Sequence, residues 1–128
     1  MPKGEPLEPL DRLSRPLRDL RVSVTDRCSF RCTYCMPADG LDWMPSADLL
    51  TAAEIQRVVR IGTELGITEV RLTGGEPLIR PDVVDIVARL AALPRAPHLS
   101  VTTNALRLSA LAGPLAEAGL ARVNISCD

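Results

Sequence analysis

The sequence predicts an α/β fold built on a parallel sheet of about four strands. Three observations carry this. Short stretches that alternate apolar and polar residues recur around positions 22, 71, 100 and 124. The gaps between them are long enough for a crossover helix each time. Two of those gaps carry strong helix signals, and glycine and proline punctuate the boundaries.

Taken in order, residues 1–19 hold Pro2, Pro6, Pro9 and Pro16 and read as an extended lead-in, while residues 20–128 read as the core. Residues 20–25 form the first strand, with Leu20, Val22 and Val24 alternating with Arg21, Ser23 and Thr25. A long loop over about 26–45 follows and carries three cysteines. Thr51-Ala-Ala-Glu54 is a capping box, in which hydroxyl and carboxylate each satisfy an orphan amide. Ile55, Val58, Val59, Gly62 and Leu65 then recur at helical spacing, and Gly66 supplies the stop. Residues 69–73 form the second strand. Pro81 suits a first helical turn; Val83, Ile86, Val87 and Leu90 make one apolar stripe before Pro94. Residues 99–102 form the third strand. A weaker helix covers about 109–118 and contains Pro114. Residues 123–126 form the fourth strand, and the rhythm calls for a further helix after Asp128.

Parallel strands are normally buried on both faces and read as continuous apolar runs. These strands alternate instead. Their polar positions are Arg21/Ser23/Thr25, Glu69/Arg71/Thr73, Ser100/Thr102 and Arg122/Asn124/Ser126. The expectation is a curved β/α sheet with helices on one face and a polar concave face, with ligands at the C-terminal strand ends. An antiparallel sheet with one wet face is the alternative.

Composition narrows the function. Hydrophobic residues make up 46% and charged residues 24%, so the chain is expected to fold. There are 15 basic and 16 acidic residues, a net charge of −1, which argues against a nucleic-acid partner. No apolar run reaches about 18 residues, so no membrane span is expected. The N-terminus has no apolar core of a secretory signal, so a cytoplasmic location is expected. Aromatic residues are only 2%: Phe30, Tyr34 and Trp43, all beside the cysteines.

Cys28-Ser-Phe-Arg-Cys32-Thr-Tyr-Cys35 starts just past the first strand. Three thiolates at this spacing can converge on one metal centre. In a cubane iron–sulfur cluster they ligate three irons and leave the fourth open. The competitor is zinc, with Cys127 or His98 as a fourth ligand; zinc sites more often use paired CxxC knuckles. A disulfide fits poorly in a chain without an export signal. Gly74-Gly75-Glu76-Pro77 follows the second strand, and its glycines allow backbone to approach a ligand closely. Glu76 there is either a cap or a ligand contact.

CxxxCxYC after a first strand resembles the radical S-adenosylmethionine superfamily. The stretches from Asp11 to Cys28, Arg71-Leu-Thr-Gly-Gly-Glu-Pro-Leu78, Thr102-Thr-Asn104 and Arg122-Val-Asn-Ile-Ser-Cys-Asp128 resemble, within it, the GTP 3′,8-cyclase family of molybdenum cofactor biosynthesis. The resemblance runs from about Asp11 to Asp128. It implies a partial (β/α) barrel. It also implies that Cys28, Cys32 and Cys35 hold a [4Fe–4S] cluster whose open iron takes S-adenosylmethionine. The adenosyl radical so produced would take a hydrogen from the ribose of GTP, and the carbon radical would attack the guanine. Tyr34, Gly74, Gly75, Glu76 and Ser126 would then face S-adenosylmethionine. Arg21, Arg71 and Thr102 would contact GTP.

Some features depart from that family. Its chains are much longer, so this one reads as an N-terminal part, expected to be inactive alone unless a complementing C-terminal polypeptide or a homo-oligomer completes it. Ala105 stands where the family usually has glycine, and Cys127 where it has an aliphatic residue. A non-catalytic remnant that binds a cluster or S-adenosylmethionine, and a zinc-binding structural protein, are the other readings.

Overall fold

The computed structural model describes residues 9–27 and 48–126. Four strands alternate with three helices: β1 (Asp19–Ser23), α1 (Ala52–Glu64), β2 (Glu69–Thr73), α2 (Val83–Ala91), β3 (His98–Thr103), α3 (Leu108–Ala118) and β4 (Arg122–Ile125). The sheet order is β1-β2-β3-β4, and every neighbouring pair is parallel. The antiparallel alternative is therefore overturned. Helices of 9 to 13 residues between strands are long enough to return the chain to the same sheet end, which a hairpin turn would not do.

Local chemistry explains each element. The capping box of α1 is formed: the Glu54 amide donates to Thr51 Oγ1 at 3.1 Å, and the Thr51 amide donates to Glu54 Oε1 at 3.1 Å. At the other end, Gly66 adopts φ +104. Its amide donates to Thr63 O at 3.2 Å and that of Ile67 to Gly62 O at 3.0 Å, so the last carbonyls are satisfied by a left-handed stop. In α2, Val83, Ile86, Val87 and Leu90 are all buried, as the stripe requires. Pro114 lies inside α3, where only Leu115 is fully buried, so this helix contributes least to the core.

One apolar cluster joins the helices to the sheet. Ile55 and Val59 of α1, the stripe of α2 and Leu115 of α3 pack on Val70, Leu72, Leu99 and Val101. Each such side chain contributes about 1.5–3 kcal/mol on burial. Three positions differ from the periodicity. Val58 is 49% exposed, Leu65 39% and Ile125 55%. The buried line of α1 is the narrower set Ala52, Ile55, Val59 and Thr63, because α2 flanks only one side of it. Ile125 ends β4, where no described element covers it. Strand limits also shift slightly: β1 ends at Ser23, although the Val24 amide still donates to Thr73 O at 3.0 Å.

Candidate functional site

The register turns the polar face into rows. Arg21 pairs with Arg71, Arg71 with Ser100, and Ser100 with Arg122. Three guanidinium-bearing positions thus share one row across the sheet. This row lines a cavity of about 210 Å³ together with Asp19, Glu69 and His98. Two residues further along the strands lies a neutral row: Ser23 pairs with Thr73, and Thr102 with Asn124. Arg21, Arg71 and Thr102 therefore share one face, as their parity required. Arg122 belongs to the same row as Arg21 and Arg71. The alternation that singled out those two marks it equally.

The C-terminal strand ends are organised by backbone. The Gly75 amide donates to Thr25 O at 2.9 Å, and the Glu76 amide to Arg27 O at 2.7 Å. Gly74 has φ +139, and a Cβ there would overlap the Thr25 carbonyl. A Cβ on Gly75 would overlap the Arg27 carbonyl and lie 2.7 Å from Asp26 O. Both glycines are required by this close approach. The turn thereby holds the stem 25–27, which Cys28 follows directly in sequence.

Glu76 is buried, and its carboxylate accepts three hydrogen bonds from within the chain. Oε1 accepts from Thr103 Oγ1 at 2.6 Å and from the Leu78 amide at 3.0 Å; Oε2 accepts from the Asn104 amide at 2.7 Å. It caps the 3-10 turn Pro77–Ile79 and ties the glycine turn to the end of β3. Ser126 sits beside that end, its amide donating to Thr103 O at 2.8 Å.

Arg80 has no counterpart in the sequence reading. Its side chain is only 10% exposed. Nη1 donates to Val24 O at 2.8 Å, Nη2 to Leu50 O at 2.7 Å, and Nε to Asp82 Oδ1 at 2.6 Å. It joins the backbone before the cysteine-bearing segment to the backbone after it. That hydrogen bond holds the Asp82 carboxyl below its ordinary value of 3.8. The only local sign was an arginine set between Ile79 and Pro81, which no periodicity marks.

Cys28, Tyr34, Cys32, Cys35 and Cys127 lie outside the described residues. Among the described residues, no three His, Cys, Asp or Glu side chains converge for a metal. His98 opens β3 opposite Glu69, about 16 Å of strand from Thr103. It lies at the opposite end of the sheet from the Arg27 stem. The donor set itself suits a cluster: three thiols fall within 8 residues of sequence, directly after a stem that backbone contacts hold.

No helix is long and apolar enough to cross a membrane among the described residues. The profile of the Radical SAM superfamily matches residues 22–128. The GTP 3′,8-cyclase of Streptomyces coelicolor is 56% identical over 120 residues, covering 93% of this chain and 35% of that protein. That of Mycobacterium marinum is 55% identical, covering 93% and 33%. That of Paenarthrobacter nicotinovorans is 48% identical, covering 99% and 36%. The chain thus spans about a third of the length of these curated relatives. The fold is similar to that of Streptococcus suis SuiB, solved with its precursor peptide SuiA: TM-score 0.62 at 20% identity, covering 82% of this chain and 22% of that one. A parallel β/α sheet with a polar face, a glycine turn at its C-terminal end and a three-cysteine stretch beginning there place the chain in the radical S-adenosylmethionine superfamily, to which its sequence match over residues 22–128 shows it belongs.

Proposed function

We propose that the chain is the N-terminal part of a GTP 3′,8-cyclase, a lyase-type enzyme that converts GTP to the cyclised, 8-carbon-linked intermediate of molybdenum cofactor biosynthesis. The observation that carries this is the division of one sheet face. An arginine row lies toward its N-terminal end and a backbone-lined glycine turn at its C-terminal end. The family likeness at 56% identity supports the same reading.

In this reading Cys28, Cys32 and Cys35 hold a [4Fe–4S] cluster, and Tyr34, Gly74, Gly75 and Ser126 flank S-adenosylmethionine. When bound, that pair supplies one-electron reductive chemistry able to abstract a hydrogen from carbon. Gly74 and Gly75 lie against the Thr25–Arg27 backbone, where a side chain would clash, and so hold the stem of the cysteine segment beside the cofactor. Glu76 positions the turn against β3 through the three hydrogen bonds described above. Arg21 and Arg71 hold the triphosphate, because a guanidinium fork matches phosphate oxygens in pairs. Thr102 contacts the nucleotide two residues further along β3. The site is assigned to the cytoplasm with the rest of the enzyme.

The relatives are about three times as long. Turnover is therefore assigned to an enzyme of the relatives' full length. The test is anaerobic reconstitution followed by iron, sulfide and zinc analysis. About four irons and four sulfides per chain are expected. One tightly held zinc without sulfide overturns the reading in favour of a zinc-binding structural protein. Supplied with GTP, S-adenosylmethionine and reductant, the 128-residue chain alone is expected to form no cyclised product.

A further inference from the structure

We infer that Asn124, together with Thr102, forms a subsite for the sugar hydroxyls of a ribonucleotide. This deepens the nucleotide reading above and rests on it. Thr102 Oγ1 and Asn124 Nδ2 are both buried atoms with no hydrogen-bond partner among the described residues. They belong to directly paired residues of β3 and β4. A buried polar atom without a partner is costly, and native proteins keep few of them. Two at one paired position, on the face expected to meet ligand, indicate that a ligand group completes them.

The chemistry of that group follows from position. Ser100 and Arg122 precede the pair by two residues on the same strands, and these stand in register with Arg71 and Arg21. Two residues of strand advance about 6.6 Å. A molecule whose anionic tail rests on the arginine row therefore presents its next groups to Thr102 and Asn124. In a ribonucleotide those groups are the ribose hydroxyls. A hydroxyl both donates and accepts, as does threonine, and the asparagine amide supplies two donors. An adjacent pair of hydroxyls matches two such partners on neighbouring strands, about 4.8 Å apart. The pair carries no formal charge, so it suits a sugar rather than a phosphate.

The adenosyl group of S-adenosylmethionine carries the same diol, so the experiment has an arm for each source. Asn124→Ala and the isosteric Asn124→Asp are compared with the wild-type chain after cluster reconstitution. Calorimetry follows the binding of GTP, 2′-deoxyGTP, 3′-deoxyGTP, inorganic tripolyphosphate and S-adenosylmethionine. The wild-type chain is expected to prefer GTP over both deoxy analogues. Asn124→Ala is expected to weaken GTP about three- to tenfold, the scale of one or two lost hydrogen bonds, and to shrink that preference. Asn124→Asp weakens GTP further by repelling the nucleotide. Tripolyphosphate and S-adenosylmethionine binding by Asn124→Ala stay unchanged and its thermal midpoint holds or rises, where a purely structural role would lower it. Unchanged GTP affinity in both variants overturns the inference. So does an equal loss for tripolyphosphate, or a loss confined to S-adenosylmethionine. If the wild-type chain binds tripolyphosphate and GTP equally, the sugar subsite alone falls. If it binds neither, the nucleotide reading falls and the subsite with it.

Discussion

Ala105 adopts φ +69, a left-handed conformation that an L side chain tolerates poorly. It directly follows Asn104, whose amide is held by Glu76, and its own amide donates to Thr103 Oγ1 at 3.0 Å. The hydrogen bonds on both sides fix the turn, so the strain is borne by the alanine. Ala105→Gly is expected to stabilise the chain by about 0.5–1.5 kcal/mol, read as a raised urea midpoint. No change would show that the turn relaxes freely. Individual residues were unevenly legible in the sequence. Arg21, Arg71 and Thr102 fell on one face through strand parity alone. Glu76 was ambiguous because its partners, Thr103 and Asn104, are 27 and 28 residues away. A sequence pattern reports periodicity, and a single long-range hydrogen bond has none.

Among the elements, the turn before α2 does the most for the site. Arg80 bonds Val24 and Leu50 while also engaging Asp82 at the helix start. Removing its fork strands two carbonyls, one of them 56 residues away in sequence. Arg80→Ala is expected to cost about 2–3 kcal/mol, since these are charge-assisted bonds from a largely buried side chain. The same variant alters the acid limb. Hydrogen bonding from Arg80 lowers the folded pKa of Asp82 below 3.8. A depressed carboxyl contributes stability above its ordinary value and loses it as pH falls through the folded value. Stability should therefore decline below about pH 4 in the wild type, with a shallower decline in Arg80→Ala. Denaturant midpoints measured on either side of 3.8 decide this; parallel profiles would remove Asp82 as a contributor. The capping box of α1 and the stripe of α2 were legible because caps and stripes are local. The narrower buried line of α1 was not, because only the neighbouring helix decides which flank is covered.

For the molecule as a whole, the alternation of strands predicted a one-faced sheet, and burial follows it at Val70, Leu72, Leu99 and Val101, which are inside, but not at Ser100, which is buried on the polar face of the central strand β3. The cysteine loop is the counterexample. Its chemistry was the clearest signal in the sequence, yet Cys28, Cys32 and Cys35 lie outside the described residues, so their roles rest on spacing and family likeness. The outer side of β4 is unpaired among the described residues, and Ile125 is exposed on it. Such an edge templates further pairing. The chain is expected to self-associate with rising concentration, and Ile125→Lys to reduce this in sedimentation experiments. Equal association by both would place the contact elsewhere. The strand order carries one more consequence, for synthesis. Because spatial order equals sequence order, each strand pairs only with the strand made just before or just after it. Closure of β3 on β2 and of β4 on β3 each spans one helix and its loops. The sheet can therefore grow in the direction of translation, one βα unit at a time, with the arginine row widening and its polar face extending as each strand leaves the ribosome.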